Sequence, residues 1–108
     1  MAFTVLLTAD AASDLENLYS YISKRDSPQK AKYVLDQIDK KFVSLSELPE
    51  RGVYPNELLS LGIRDYREIF FKPYRIIYRV VDKIVYVYLI IDGRRDMQTL
   101  LQQRLLRA

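Results

Sequence analysis

Tyr74-Arg75-Ile76-Ile77-Tyr78-Arg79-Val80-Val81 alternates along its whole length. Tyr74, Ile76, Tyr78 and Val80 point one way, and Arg75, Ile77, Arg79 and Val81 the other, which is the period-two pattern of a half-buried β-strand. Arg75 and Arg79 then share one face about 13 Å apart, at roughly 3.3 Å per residue. Such a pair is poor core material and a good surface for a polyanion or an acidic peptide.

Working outward, Asp82-Lys83 makes a two-residue turn into Ile84-Val85-Tyr86-Val87-Tyr88-Leu89-Ile90-Ile91. A tight turn sets Val81 opposite Ile84, Arg79 opposite Tyr86 and Ile77 opposite Tyr88. One face then carries Arg75, Ile77, Arg79, Tyr86 and Tyr88. The other carries Ile76, Tyr78, Val80, Val85, Val87, Leu89 and Ile91, and its aliphatic character makes it the core face. On the N-terminal side, Lys72-Pro73 turns into a preceding strand that starts at Arg64 or Arg67 and ends at Phe71.

Further upstream, Phe3-Thr4-Val5-Leu6-Leu7 reads as a first strand. Thr8 or Asp10 caps a helix whose stripe is Ala11, Leu15, Leu18, Tyr19 and Ile22, ending near Lys24-Arg25-Asp26. Ser27-Pro28 opens a second helix, with Ser as N-cap and Pro at the first helical position. Its apolar face is Ala31, Val34, Leu35, Ile38, Phe42, Leu45 and Leu48, and Pro49 ends it. Residues 49–63 hold Pro49, Gly52, Pro55, Asn56 and Gly62 and read as a loop with a short helical turn from Glu57 to Leu61. After the turn Asp92-Gly93-Arg94-Arg95-Asp96, a last helix runs from Met97 to Arg107, with Met97, Leu100, Leu101 and Leu105 as its stripe. The order strand, helix, helix, three strands, helix predicts an α+β fold. Its four-stranded sheet is twisted and mostly antiparallel, with the first strand at an edge. A helical hairpin lies on one face, a short helix follows at the C-terminus, and the Arg75/Tyr86/Tyr88 face is left on the other side.

At 108 residues the chain is expected to form one domain, residues 1–108, with one modest core. It has no cysteine and no histidine, which removes thiolate chemistry, the usual general base near neutral pH and the commonest metal ligand. No cofactor and no metal site is expected. No segment approaches the ~20 apolar residues of a membrane span and no signal-peptide layout is present, so a cytoplasmic protein without membrane contact is expected. Charge is uneven. Residues 1–63 hold seven Lys/Arg against nine Asp/Glu, net −2, whereas residues 64–108 hold ten against five, net +5. A basic half points to nucleic acid or an acidic protein partner.

The ordered set Ala-x-x-Asp-Leu-x-x-Leu-x-x-Tyr-Ile at Ala11 to Ile22, Ser27-Pro28, Leu48-Pro49-x-x-Gly52, Arg67-Glu68-Ile69, the Tyr74–Val80 strand and Gly93-Arg94-Arg95-Asp96 resembles the RelE/ParE toxin superfamily of type II toxin–antitoxin and plasmid-stabilisation systems. The resemblance runs almost end to end. It implies the fold just derived and one of two activities. RelE-like members cleave messenger RNA on the ribosome, and ParE-like members act on DNA gyrase. Arg75 matches the arginine of the RelE-type Tyr-Arg strand, and Arg95 matches one after the glycine turn. The lysine pair of the preceding strand is replaced by Arg67, Glu68 and Ile69. The tyrosine position of the last helix falls near Leu101, and that helix has no tyrosine.

Phosphate-binding cations are kept while acid and base groups are not, which favours a ParE-like, non-enzymatic toxin that inhibits DNA gyrase and is neutralised by a cognate antitoxin. It implies no sequence-specific nucleic-acid binding by the toxin itself. The alternatives are a ribosome-dependent endoribonuclease using Tyr86 or Tyr88 as proton carriers, and an inactive antitoxin-binding module. No catalytic residue is assigned. The expected target- or antitoxin-binding residues are Arg67, Arg75, Arg79, Tyr86, Tyr88, Arg94 and Arg95. Bland readings stand beside these: Glu68 and Arg75 as a cross-strand ion pair, Arg94 and Arg95 closing a turn against Asp92 and Asp96, and Asp14 as a helix-surface or capping residue.

Overall fold

The structure, a computed structural model, describes residues 2–106. The chain runs β1 (Thr4–Leu7), α1 (Ala9–Arg25), α2 (Pro28–Glu47), α3 (Asn56–Leu59), β2 (Arg67–Phe71), β3 (Tyr74–Val81), β4 (Ile84–Asp92) and α4 (Met97–Leu105). The sheet order is β1-β4-β3-β2, with β1 parallel to β4 and the other pairs antiparallel. This is the expected α+β architecture with β1 at an edge.

The helix starts follow from their caps. Thr8 Oγ1 accepts from Ala11 N–H at 3.1 Å, and Ser27 Oγ accepts from Lys30 N–H at 3.1 Å, each satisfying a donor that the first turn leaves open. Asp96 caps α4 in the same way through Thr99 N–H. The two long helices form a hairpin whose buried Ala11, Ile22, Ala31, Val34, Ile38 and Leu45 meet Ile69, Ile76, Tyr78, Val85, Val87 and Ile90 of the sheet. Tyr19 and Leu48, placed on the apolar stripes by the sequence, are exposed instead.

The meander keeps the expected register at its turn, with Val81 opposite Ile84 and Arg79 opposite Tyr86. Beyond that it departs. A bulge between Ile77 and Tyr78 sets Ile77 opposite Leu89, so Tyr88 is the extra residue of β4. One extra residue inverts the alternation that follows it. Leu89 and Ile91 therefore lie on the outer face with Ile77, and Ile90 takes the helix side. The outer face is also not left open, because Leu58 of α3, Tyr66, and Met97 and Leu101 of α4 cover it as a second core. Of the two starts expected for β2 the strand takes Arg67, and α4 ends at Leu105, while Arg107 lies outside the described residues.

The bulge and the short β1 together leave backbone groups of β4 without strand partners. β1 stops opposite Val87. Beyond it, Ile90 N–H donates to Asp14 Oδ2 at 3.0 Å, and Tyr88 C=O accepts from Arg104 Nη1 at 3.2 Å. Arg104 and Asp14 close the set with an ion pair of 2.6 Å. Asp14, read from sequence as a surface or capping residue, is thus a buried tie between α1, β4 and α4. Removing one partner of a buried pair strands the other charge, at a cost of about 3–5 kcal/mol. Asp14→Ala should lower unfolding stability by about 3 kcal/mol or more in urea titrations. Asp14→Asn, which keeps an acceptor for Ile90 N–H, should lose less.

Candidate functional site

The expected site residues fall into three places. Arg75 is clamped. Its guanidinium donates from Nε to Glu68 Oε1 at 2.7 Å, and from Nη1 and Nη2 to the two oxygens of Glu57 at 2.8 Å each. β3 supplies Arg75, β2 supplies Glu68 from the neighbouring strand, and α3 brings Glu57 across the outer face. Only 13% of the Arg75 side chain is accessible, so little of it faces a partner. Gly93 is required beside it, because a Cβ there would lie 2.6 Å from Arg75 Cδ.

The hydrogen bonds from Arg75 hold the Glu57 carboxyl below the usual carboxylate range. Burial pushes Glu68 up, more strongly than its bond to Arg75 pulls it down. Arg75, bound first of all by Glu57, stays charged at any accessible pH. The cross-strand pair considered from the sequence is therefore part of a half-buried triad. Its second carboxylate, Glu57, lies in α3, a helix too short to carry a periodic signal.

Arg67, Arg79, Tyr86 and Tyr88 gather at one end of the sheet, joined by Arg64. Arg67 is braced by Gly52 C=O at 2.9 Å and stacks over the Tyr54 ring at 4.7 Å, with Nη2 donating to the Tyr54 hydroxyl at 3.3 Å. Gly52 is held in turn by its N–H donating to the buried Tyr78 hydroxyl at 2.9 Å. Arg79 lies over the Tyr66 ring at 5.8 Å, opposite Tyr86 on the neighbouring strand. Tyr88 meets Tyr66 edge to face at 5.5 Å. Burial raises the Tyr66 hydroxyl above its ordinary value, so the phenol stays neutral. Arg64, Arg67 and Arg79 line a cleft of about 270 Å³ with Glu50, Asp65 and Val80. The sequence reading included Arg67 and Arg79 but not Arg64, whose only signal was its charge next to a strand.

Arg94 and Arg95 lie beyond the other end of β4. Tyr86 to Asp92 spans about 20 Å of strand at roughly 3.3 Å per residue, so the structure does not bring these two groups together. Arg94 is tied to Asp92 at 2.6 Å. That contact holds Asp92 below its ordinary value, with Arg95 adding to the effect. Arg95 has no ion-pair partner among the described residues. Both border a cleft of about 480 Å³ whose floor includes Leu18, Ile90 and Ile91 and whose walls include Tyr21 and Tyr74. At the position where the RelE-type pattern has a tyrosine, Leu101 is fully buried in the outer core. No described helix is long and apolar enough to cross a membrane. Among the described residues no group of three His, Cys, Asp or Glu side chains is placed to hold a metal.

A family model described as the ParE toxin of the type II toxin–antitoxin system parDE matches residues 5–97. No curated protein matches the sequence significantly. Solved structures share the fold. One, titled a chromosomal ParDE TA system from P. aeruginosa, has a TM-score of 0.70 at 21% identity, over 84% of this chain and 96% of that one. The toxin–antitoxin complex RelBE2 from Mycobacterium tuberculosis has a TM-score of 0.59 at 23% identity, over 85% of this chain and 99% of that one. A mutant of E. coli toxin RelE in the free state has a TM-score of 0.61 at 21% identity, over 92% of each chain.

The two carboxylates of the triad should respond to pH with opposite signs. Glu57, lowered in the fold, contributes stability above its unfolded value that is lost as pH falls through its folded value. Glu68, raised in the fold, contributes stability that is present below its unfolded value and lost as pH rises through its folded value. Measured as melting temperature relative to the parent between roughly pH 3 and pH 7, Glu57→Gln should lose ground as pH rises. Glu68→Gln should gain it. Equal slopes would contradict the assignment.

Proposed function

The chain belongs to the ParE toxin family of type II toxin–antitoxin systems, and we propose that it inhibits DNA gyrase until a cognate antitoxin covers it. The observation that carries the gyrase reading over messenger RNA cleavage is the state of Arg75. Phosphodiester cleavage by a 2′-hydroxyl needs a base, an acid and cations free to meet the phosphate. Here the arginine that matches the RelE-type strand motif is neutralised by Glu57 and Glu68. The helix position that would supply a tyrosine is a buried leucine, and histidine is absent from the chain. Arginine cannot replace a base, because it stays protonated. A toxin that acts by binding a protein needs none of these groups, only an accessible surface.

We assign that surface to the turn before α4, where Arg94 and Arg95 are exposed beside Tyr21 and Tyr74. The antitoxin would lie on the helical hairpin, the sheet or both. Exposed Tyr19, Tyr33, Val43 and Leu48 offer apolar contact along the hairpin, and the basic second half suits an acidic segment. A stable interface of this kind buries more than about 1,000 Å² in total.

Purified toxin should inhibit supercoiling by DNA gyrase and should produce no discrete cuts in primer extension on a translated message. Arg94→Ala with Arg95→Ala should abolish the inhibition while leaving the melting temperature within a few degrees. Cuts that vanish in Tyr86→Phe or Tyr88→Phe would establish the endonuclease reading instead. Inactivity in both assays, with antitoxin binding retained, would identify a binding module.

A further inference from the structure

The fold pairs some of its arginines with carboxylates and leaves others without one, and the two sets occupy different places. Arg75, Arg94 and Arg104 each pair with a carboxylate at 2.6–2.8 Å. Arg64, Arg67 and Arg79 line one cleft, and none of them lies within 4.0 Å of a carboxylate oxygen among the described residues. Glu50 and Asp65 border the same cleft without pairing with them. Arg67 and Arg79 are nonetheless positioned, and by neutral groups. A backbone carbonyl and the Tyr54 ring hold Arg67, and the Tyr66 ring holds Arg79. Neutral braces orient a planar guanidinium without cancelling its charge, which is the condition for a preformed anion site.

We propose that this cleft binds a phosphate ester, the phosphodiester of a nucleic acid or the terminal phosphate of a nucleotide. Three arginines lining one small cavity suit a phosphate, whose oxygens can meet several forks at once. A carboxylate is satisfied by a single bidentate fork. The cavity, about 270 Å³, is below the range of about 300–1,000 Å³ typical of drug-sized ligands, in keeping with a group recognised chiefly by charge. Tyr86 is the cross-strand neighbour of Arg79 on the adjoining strand, on the side where a sugar or base would follow the phosphate. This site does not depend on the gyrase reading, since it lies at the opposite end of β4 from Arg94 and Arg95.

The test is amide chemical-shift mapping of the intact chain with inorganic phosphate, a nucleoside 5′-monophosphate, the corresponding nucleoside, a short oligonucleotide and an acidic peptide of matched charge. The phosphate-bearing probes should shift resonances around Asp65, Arg67 and Val80, the nucleoside should not, and affinity should fall as salt rises. Arg64→Gln, a change at an exposed side chain, should weaken monophosphate binding by about threefold or more. The pair Arg64→Gln and Arg79→Gln should weaken it by about tenfold. Arg94→Gln should leave it within about twofold. An oligonucleotide much tighter than the monophosphate would identify a nucleic-acid backbone as the source, and equal affinities a free nucleotide. The proposal is overturned by an unshifted cleft, by equal losses in Arg94→Gln, or by an acidic peptide that binds there more tightly than phosphate.

Discussion

Much of this structure depends on what happens to β4 after β1 ends. β1 has four residues and covers only the first part of its neighbour. An uncovered, buried strand edge would leave backbone donors and acceptors without partners, a cost of about 1–3 kcal/mol each. Asp14 and Arg104 take over at that point, one accepting from Ile90 N–H and the other donating to Tyr88 C=O. A single ion pair thus performs the task of a missing strand, and in doing so it ties the first helix to the last. The position of α4, and of the turn carrying Arg94 and Arg95, follows from that tie.

Local periodicity made most of the architecture legible in the sequence. The Ser27-Pro28 helix start, the Thr8 cap, the three-strand meander and the pairing of Arg79 with Tyr86 are short-range features, each set by residues a few positions apart. The face inversion after Tyr88 was not legible, because a bulge depends on the partner strand and on the backbone groups that surround it. Leu89, Ile90 and Ile91 are all apolar, so alternation carried no information about where parity changed. The second core was hidden for the same reason. Ile77, Leu89 and Ile91 acquire apolar neighbours only when α3 and α4 fold over them.

Charged residues were the least legible part. Five of the expected site residues are arginines from one region of the sequence, yet their surroundings separate them. Arg75 and Arg94 look alike in the chain, but one is 13% accessible at its side chain and the other 78%. What distinguishes them is a carboxylate contributed from far away in sequence: Glu57 reaches Arg75 across the outer face. Asp14, whose helical spacing suited a solvated face, became the buried partner of Arg104 for the same reason. Pairing at long sequence separation is what three-dimensional structure adds to a reading by period and composition.

The distribution of those pairs bears on how the fold can carry function. Closing this fold half-buries Arg75 and Arg104, and a guanidinium withdrawn from water is stabilised by a carboxylate partner. Glu57, Glu68 and Asp14 are those partners, and they concentrate the acidic groups of this region where the arginines are structural. Of the described arginines in this region, those without a carboxylate partner, Arg64, Arg67, Arg79 and Arg95, lie toward its two ends. The +5 balance of residues 64–108, which the sequence presents as one basic half, is in the folded molecule two separate basic surfaces with a neutralised arginine between them. A partner that covers one surface need not touch the other, and the Arg75 triad holds the sheet between them.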